Sequence, residues 1–358
     1  MNKTVFILGA GTSVCSGAPI ISNFLKEARE LYYQGIDESS HEDFETVFQI
    51  ISEFQEVLIK STVDLDDIEV ILAALEIGQV IGAMNDRIDY ERVIPIFKRF
   101  ILKTLELKIK YDFNSEHRFV LSQGYEQFVS LIRTLMQYKK QGISIISFNY
   151  DINIDIALRY RNMIPIYFLK DSESSNHTTS IPLLKLHGSL NWTKCECGEI
   201  NYFDVADILQ ARFSDTGSHG INLMDFLRKV SCSKCFALSP KHEPVIIPPI
   251  FNKINQQREL QLVWRQAANE LSEAENIIVI GYSLRESDYF FKYLFALGAA
   301  SKTRIEKFIV VNPDGGVCNN FRKLISKDVE NKLIDIGGRF EDCKDILIEK
   351  FEVFKKHT

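Results

Sequence analysis

Four short apolar runs, each broken off by small or hydrogen-bonding residues, constrain the fold of this chain more than any other feature. Residues 4–8 run into Gly9-Ala10-Gly11, and 143–148 into Asn149-Tyr150-Asp151. Residues 276–280 run into Gly281-Tyr282-Ser283, and 307–311 into Asn312-Pro313-Asp314. Apolar runs without polar alternation suit strands covered on both faces, as in a parallel sheet flanked by helices. Residues 183–186, just before His187, are a fifth candidate. Open parallel sheets bind ligands just beyond the carboxyl ends of their strands. One crevice could therefore collect all five endings.

About 130 residues separate the first two runs, far more than a simple crossover needs. Within them 64–75, 93–107 and 125–136 carry apolar residues at helical spacing. Residues 36–140 are read as a helical insertion in one unit spanning 1–358. Stretches 171–180 and 214–220 are read as loops, and 342–354 as a helix. The expected class is α/β, a Rossmann-like parallel sheet with a helical insertion and a small cysteine-bearing module.

With 358 residues, 46% of them hydrophobic, a sizeable core needs no disulfide support. The net charge of -6 gives no electrostatic reason to expect capture of nucleic acid or anionic lipid. No run approaches the roughly 18 apolar residues of a membrane span, and no signal peptide is seen. A soluble, cytoplasmic protein without a membrane or nucleic-acid partner is expected.

Seven cysteines are not spread as a secreted framework would be. Cys15, Cys318 and Cys343 stand alone, whereas Cys195, Cys197, Cys232 and Cys235 cluster. That usage suits a reducing compartment and one tetrahedral zinc site of four thiolates, closed and therefore structural. Residues 191–244 are read as a zinc-ribbon-like module, with His219 a weak substitute ligand.

Gly9-Ala10-Gly11 after a strand suits either a phosphate-binding turn or a tight strand–helix turn without ligand. A dinucleotide fingerprint would place its third glycine at position 14, where Val14 stands. His187 alone is weak, because a lone histidine is more often structural. Asn149, Asp151 and Asn312 could be turn residues. Their shared position at strand ends sets them apart.

Taken in order, these segments resemble the sirtuin family from residue 4 to about residue 315. Gly9-Ala10-Gly11-Thr12-Ser13 with Gly17-Ala18-Pro19 resembles its cofactor loop, and Asn149-Tyr150-Asp151 its Asn-x-Asp motif. Leu186-His187-Gly188 resembles its catalytic histidine segment. The cysteine pairs fall where its zinc ribbon belongs, and Gly281-Tyr282-Ser283 and Val311-Asn312 match its adenosine-side motifs. The form Lys185-Leu186-His187-Gly188-Ser189-Leu190-Asn191-Trp192 is similar to bacterial sirtuin-like proteins of antiphage defence, which destroy NAD. The Phe-Gly-Glu element of deacylating sirtuins is replaced by Ile246-Ile247-Pro248-Pro249-Ile250-Phe251-Asn252-Lys253.

The resemblance implies NAD as substrate and zinc as a structural ion. It implies His187 as general base, with Asn149 and Asp151 beside the reacting ribose and nicotinamide. Gly9, Ala10, Gly11 and Ser13 would hold the pyrophosphate, Pro19 would belong to the same cofactor-binding loop, and Gly281, Ser283 and Asn312 would bind on the adenosine side. The implied activity is hydrolysis of NAD to ADP-ribose and nicotinamide, depleting NAD in antiphage defence. Lysine deacylation and NAD or ADP-ribose sensing without turnover are the alternatives. Because an unchecked NAD hydrolase harms its host, assembly into a homo-oligomer or a protein partner such as a defence-system ATPase is expected.

Overall fold

The structure is a computed structural model. It describes residues 2–57, 63–82, 88–113, 119–174, 179–210, 221–237, 243–248, 260–285, 288–298 and 303–351. Its strands are β1 (Lys3–Leu8), β2 (Asp112–Phe113), β3 (Phe119–Val120), β4 (Gly142–Ser147), β5 (Ile164–Ile166) and β6 (Ser180–Lys185). They continue with β7 (Gly188–Lys194), β8 (Ile200–Tyr202), β9 (Pro244–Ile246), β10 (Asn276–Ile280), β11 (Lys307–Val311) and β12 (Leu333–Ile336).

Seven strands make one parallel sheet in the order β12-β11-β10-β1-β4-β6-β5. From β1 the chain builds outward through β4 to β6 and β5, then returns to β10 on the other flank. The order therefore reverses between β1 and β10, which is where a crevice opens in such sheets. The strands at 4–8, 143–148, 183–186, 276–280 and 307–311 are all present, with ends moved by up to three residues. The sheet also has two edge strands beyond those expected. In β5 a proline fits because an edge leaves one side of the backbone unpaired. In β12 the sequence Leu-Ile-Asp-Ile is half exposed and lacks the continuous apolar character of a buried strand.

The early helices are α1 (Ile21–Gln34), α2 (Glu38–Val57), α3 (Ile68–Ile81), α4 (Tyr90–Lys108), α5 (Gln123–Lys139) and α6 (Asn153–Tyr160). Helix α3 starts later than residue 64 because Asp67 caps it, accepting the backbone amides of Glu69 and Val70 at 2.8 and 3.2 Å. Helices α1–α4 bury their apolar faces in a second core, shared with Tyr150, Ile152, Leu190 and Phe203. Helix α5 instead joins the core of the sheet, where Phe128 meets Phe6 edge-on at 5.1 Å. Strands β8, β7 and β9 form a small antiparallel sheet, with β7 separated from the end of β6 by Leu186 and His187 alone.

Helix Cys343–Lys350 occupies part of the stretch expected at 342–354, whose last residues lie outside the described ones. So do 214–220 and 175–178, while Ser180 already belongs to β6. No helix among the described residues is long and apolar enough to cross a membrane.

Candidate functional site

The crevice is built first from backbone. Gly9 donates its amide to the Ile280 carbonyl at 3.1 Å, and Gly11 donates to Gly281 at 3.0 Å. A Cβ on Gly9 would lie 2.6 Å from the Gly281 oxygen, and one on Gly281, itself at φ +62°, would lie 2.7 Å from the Thr12 nitrogen. Only residues without side chains let these two loops touch. Two of the glycine-turn amides expected to face a phosphate are thus spent on the neighbouring loop.

Inside the crevice a polar network settles the orientation of Asn149. Its amide nitrogen donates to Thr12 Oγ1 and Ser13 Oγ, both at 3.0 Å. Thr12 gives its own proton to the Gly9 carbonyl at 2.9 Å, so its oxygen can accept. Ser13 gives its proton to the Asp151 carboxylate at 2.7 Å and accepts from Tyr125, 2.9 Å away. Burial pushes the Tyr125 phenol well above its usual range, which keeps it a donor. With both partners acceptors, the amide face toward them must be nitrogen. The Asn149 oxygen, buried, then has no hydrogen-bond partner among the described residues. A buried acceptor without a partner costs stability, so it marks a place where a ligand or water belongs.

Asp151 closes the same network. One carboxylate oxygen accepts from Ser13, and the other takes the Asn153 amide at 3.0 Å. Burial raises its carboxyl above the ordinary range, opposed by the nearby Lys185 ammonium. Ser13 is 1% exposed, so its hydroxyl works inside the protein rather than at an open surface.

His187 joins β6 to β7. Its carbonyl accepts the Ile247 amide at 2.9 Å, and Gly188 after it adopts φ +84°. A Cβ on Gly188 would come 2.0 Å from the Val245 oxygen, which confines the position to glycine. The imidazole meets the edge of Phe148 at 5.1 Å, and Phe148 stacks on Tyr282 at 4.1 Å and 2°. Asp288, also buried, faces the same chamber. Burial raises its carboxyl, while the His187 charge pulls it back.

Two cavities meet along this crevice. An inner chamber of about 110 Å³ is lined by Asn149, Asp151, His187, Pro19, Tyr282 and Asp288, with Phe24, Ile68, Glu69 and Leu105 contributed by α1, α3 and α4. An outer cleft of about 840 Å³ is lined by Gly11, Ser283, Asn312 and Arg339, and by Asp64, Asp66 and Asp67 ahead of α3. Ala10, Gly281, Ser283 and Arg285 border both. Asn312 accepts the Asp314 amide at 2.9 Å, so it is also a turn residue. Of the residues named from the sequence for substrate binding or chemistry, all but Gly9 line one of these two cavities, and Gly9 packs against Gly281 beside them.

Cys195, Cys197, Cys232 and Cys235 bring their sulfurs within 4.8 Å of one another. Cys195 and Cys235 are 3.4 Å apart, and Cys197 and Cys232 3.5 Å. Backbone amides of Cys235 and Lys234 lower the Cys232 thiol, while the neighbouring sulfur of Cys235 and burial raise that of Cys195. Four soft donors without an open position fit structural zinc. His219 lies outside the described residues.

Glu69, Arg285, Asp288, Tyr125 and Thr12 also shape the site, though no spacing in the sequence signals them. Thr12 and the buried Lys185 lie inside segments quoted from the sequence, yet nothing in their spacing marks them as part of the site.

No family model matches the chain, and no curated protein matches it. Among solved structures, it is similar to a mutant Sir2 homologue in complex with ADP-ribose. The two share 15% identity over 99% of this chain and 95% of that chain, with a TM-score of 0.44. A Sir2 homologue in complex with NAD shows 14% identity over 98% of this chain and 89% of that chain, also with a TM-score of 0.44.

Proposed function

We propose that the chain is an NAD hydrolase that cleaves the bond between nicotinamide and ribose. The observation that carries this reading is the buried, partnerless oxygen of Asn149 in the chamber that His187 also lines. An amide oxygen held so firmly suits a ribose hydroxyl or the attacking water, because its orientation is settled before substrate arrives. The crevice at the reversal between β1 and β10, and the similarity of the His187 and Asn149 segments to sirtuin motifs, support the same conclusion.

The nicotinamide nitrogen leaves as a neutral ring, since it is cationic while attached to the ribose. Water adds to the anomeric carbon and gives its proton to the His187 imidazole, which acts as general base. The products are ADP-ribose and nicotinamide. Asn149 orients the water or the ribose, and Asp151 holds Ser13 and the loop around the nicotinamide. Ser283 and Asn312 receive the adenosine side in the outer cleft, and Pro19 walls the inner chamber.

Water rather than an acylated lysine is the acceptor. Helices α1, α3 and α4 roof the inner chamber with Phe24, Ile68 and Leu105, and the Phe-Gly-Glu element that helps deacylating sirtuins hold a peptide is absent from this sequence. Incubation with NAD, with and without an acetylated peptide, tests this. Nicotinamide and ADP-ribose without peptide are expected. Release of acyl-ADP-ribose only with peptide selects a deacylase, and tight binding without nicotinamide release selects a sensor.

The four cysteines would hold zinc as a structural ion and would brace the end of β7, the strand that begins next to His187. A role in depleting NAD during antiphage defence, in the cytoplasm, rests on the form of the histidine segment. Restraint by homo-oligomer formation or by a partner such as a defence-system ATPase belongs to that reading.

A further inference from the structure

The outer cleft is acidic where an anionic dinucleotide has to lie. Among the described residues Asp64, Asp66, Asp67, Asp314 and Glu341 line it, against Arg285 and Arg339. Arg285 is not available to an incoming anion. Its guanidinium donates to the Asp67 carboxylate at 2.6 Å and forms a second ion pair with Glu69. Both carboxylates belong to the start of α3, over 200 residues away in sequence. The other Glu69 oxygen accepts from the Tyr150 hydroxyl at 2.9 Å. The start of α3 is thereby tied to the loop after β4 and to the loop after β10, across the passage between the two cavities. Arg285 follows Leu284, which sits at φ +50°, a left-handed conformation that a leucine resists.

Accepting the NAD reading above, we infer that Arg285 is the phosphate-binding group of the cleft and that α3 inhibits the site by holding it. The amides of Gly9 and Gly11 already serve the neighbouring loop, and Arg285 is the one lysine or arginine among the described residues that borders both cavities; its fork suits paired phosphate oxygens. Moving the start of α3 outward withdraws Asp64, Asp66 and Asp67 together and frees Arg285 in the same motion. Ligand binding and α3 release are then two sides of one equilibrium, and each favours the other by the same factor. A protein that grips the exposed side of the insertion would act on this equilibrium.

The test is ADP-ribose binding by calorimetry to wild type, Asp67→Asn/Glu69→Gln, and the same pair with Arg285→Ala added. Asparagine keeps the α3 cap, and glutamine keeps the Tyr150 contact. Relief of the ion pairs is expected to tighten binding on the order of tenfold, and adding Arg285→Ala is expected to abolish the gain. Hydrogen exchange on wild type is expected to rise over 64–75 when ADP-ribose is added. Unchanged or weaker binding in the double variant, or a gain that survives loss of Arg285, overturns the inference while leaving the NAD reading intact. No ADP-ribose binding and no nicotinamide release in any of the proteins overturns both.

Discussion

Lys185 and Asp155 form an ion pair at 3.1 Å in which both side chains are wholly buried. The ammonium also donates to the Asp151 carbonyl at 2.6 Å, and Tyr167 donates to the other Asp155 oxygen at 2.6 Å. The lysine thus props the Asn149-Tyr150-Asp151 loop from below. Removing one partner of a buried pair strands the other charge and costs about 3–5 kcal/mol. Lys185→Met is expected to lose that much in urea unfolding, and Asp155→Asn added to it to recover part. A single variant as stable as wild type would show that the pair does not support the loop.

Asn149→Ala removes both the acceptor and the anchor to Thr12 and Ser13. Turnover is expected to fall about 10²-fold, the scale of lost orientation at a reacting centre. ADP-ribose affinity should change far less. Steady-state kinetics beside calorimetry separates the two, and an effect confined to KM would reassign Asn149 to simple binding.

The cysteine cluster predicts one zinc ion per chain by elemental analysis. Because β7 starts at Gly188, next to His187, stripping the metal with a chelator should lower Tm by several degrees and reduce NAD turnover together. Cys232→Ser should do the same. Turnover unaffected by complete metal loss would separate the module from the site.

Burial raises the carboxyls of Asp151 and Asp288 above their ordinary 3.8. The folded chain then keeps protons there that the unfolded chain has released, so this stabilisation is complete below 3.8 and lost as pH climbs through the folded values. Asp288→Asn removes one such group. Between about pH 4 and pH 7 wild type is expected to lose stability relative to the variant, as measured by denaturant unfolding. The opposite trend would mean that the carboxylate, not the acid, is favoured at this position.

The central strands were legible in the sequence because strands buried on both faces are mostly apolar, as in Ile-Ile-Val-Ile of β10. Edge strands β5 and β12 escape that rule, one through its proline and the other through exposure. His187, Asn149 and Asp151 were legible because polar residues end apolar runs at the crevice. Arg285 with Asp67 and Glu69 was not, since a contact across more than 200 residues leaves no local pattern. The buried Lys185 has the same difficulty, for a lysine declares its burial only through its partner.

The most direct measurement is chromatography of NAD incubated with purified wild type and His187→Ala, with ADP-ribose binding and thermal melting recorded on both. Wild type is expected to yield ADP-ribose and nicotinamide without any peptide. The variant is expected to lose roughly 10²–10⁴-fold in rate while it still melts and binds ADP-ribose as wild type does. A variant that consumes NAD at the wild-type rate would contradict the assignment of His187 as the base.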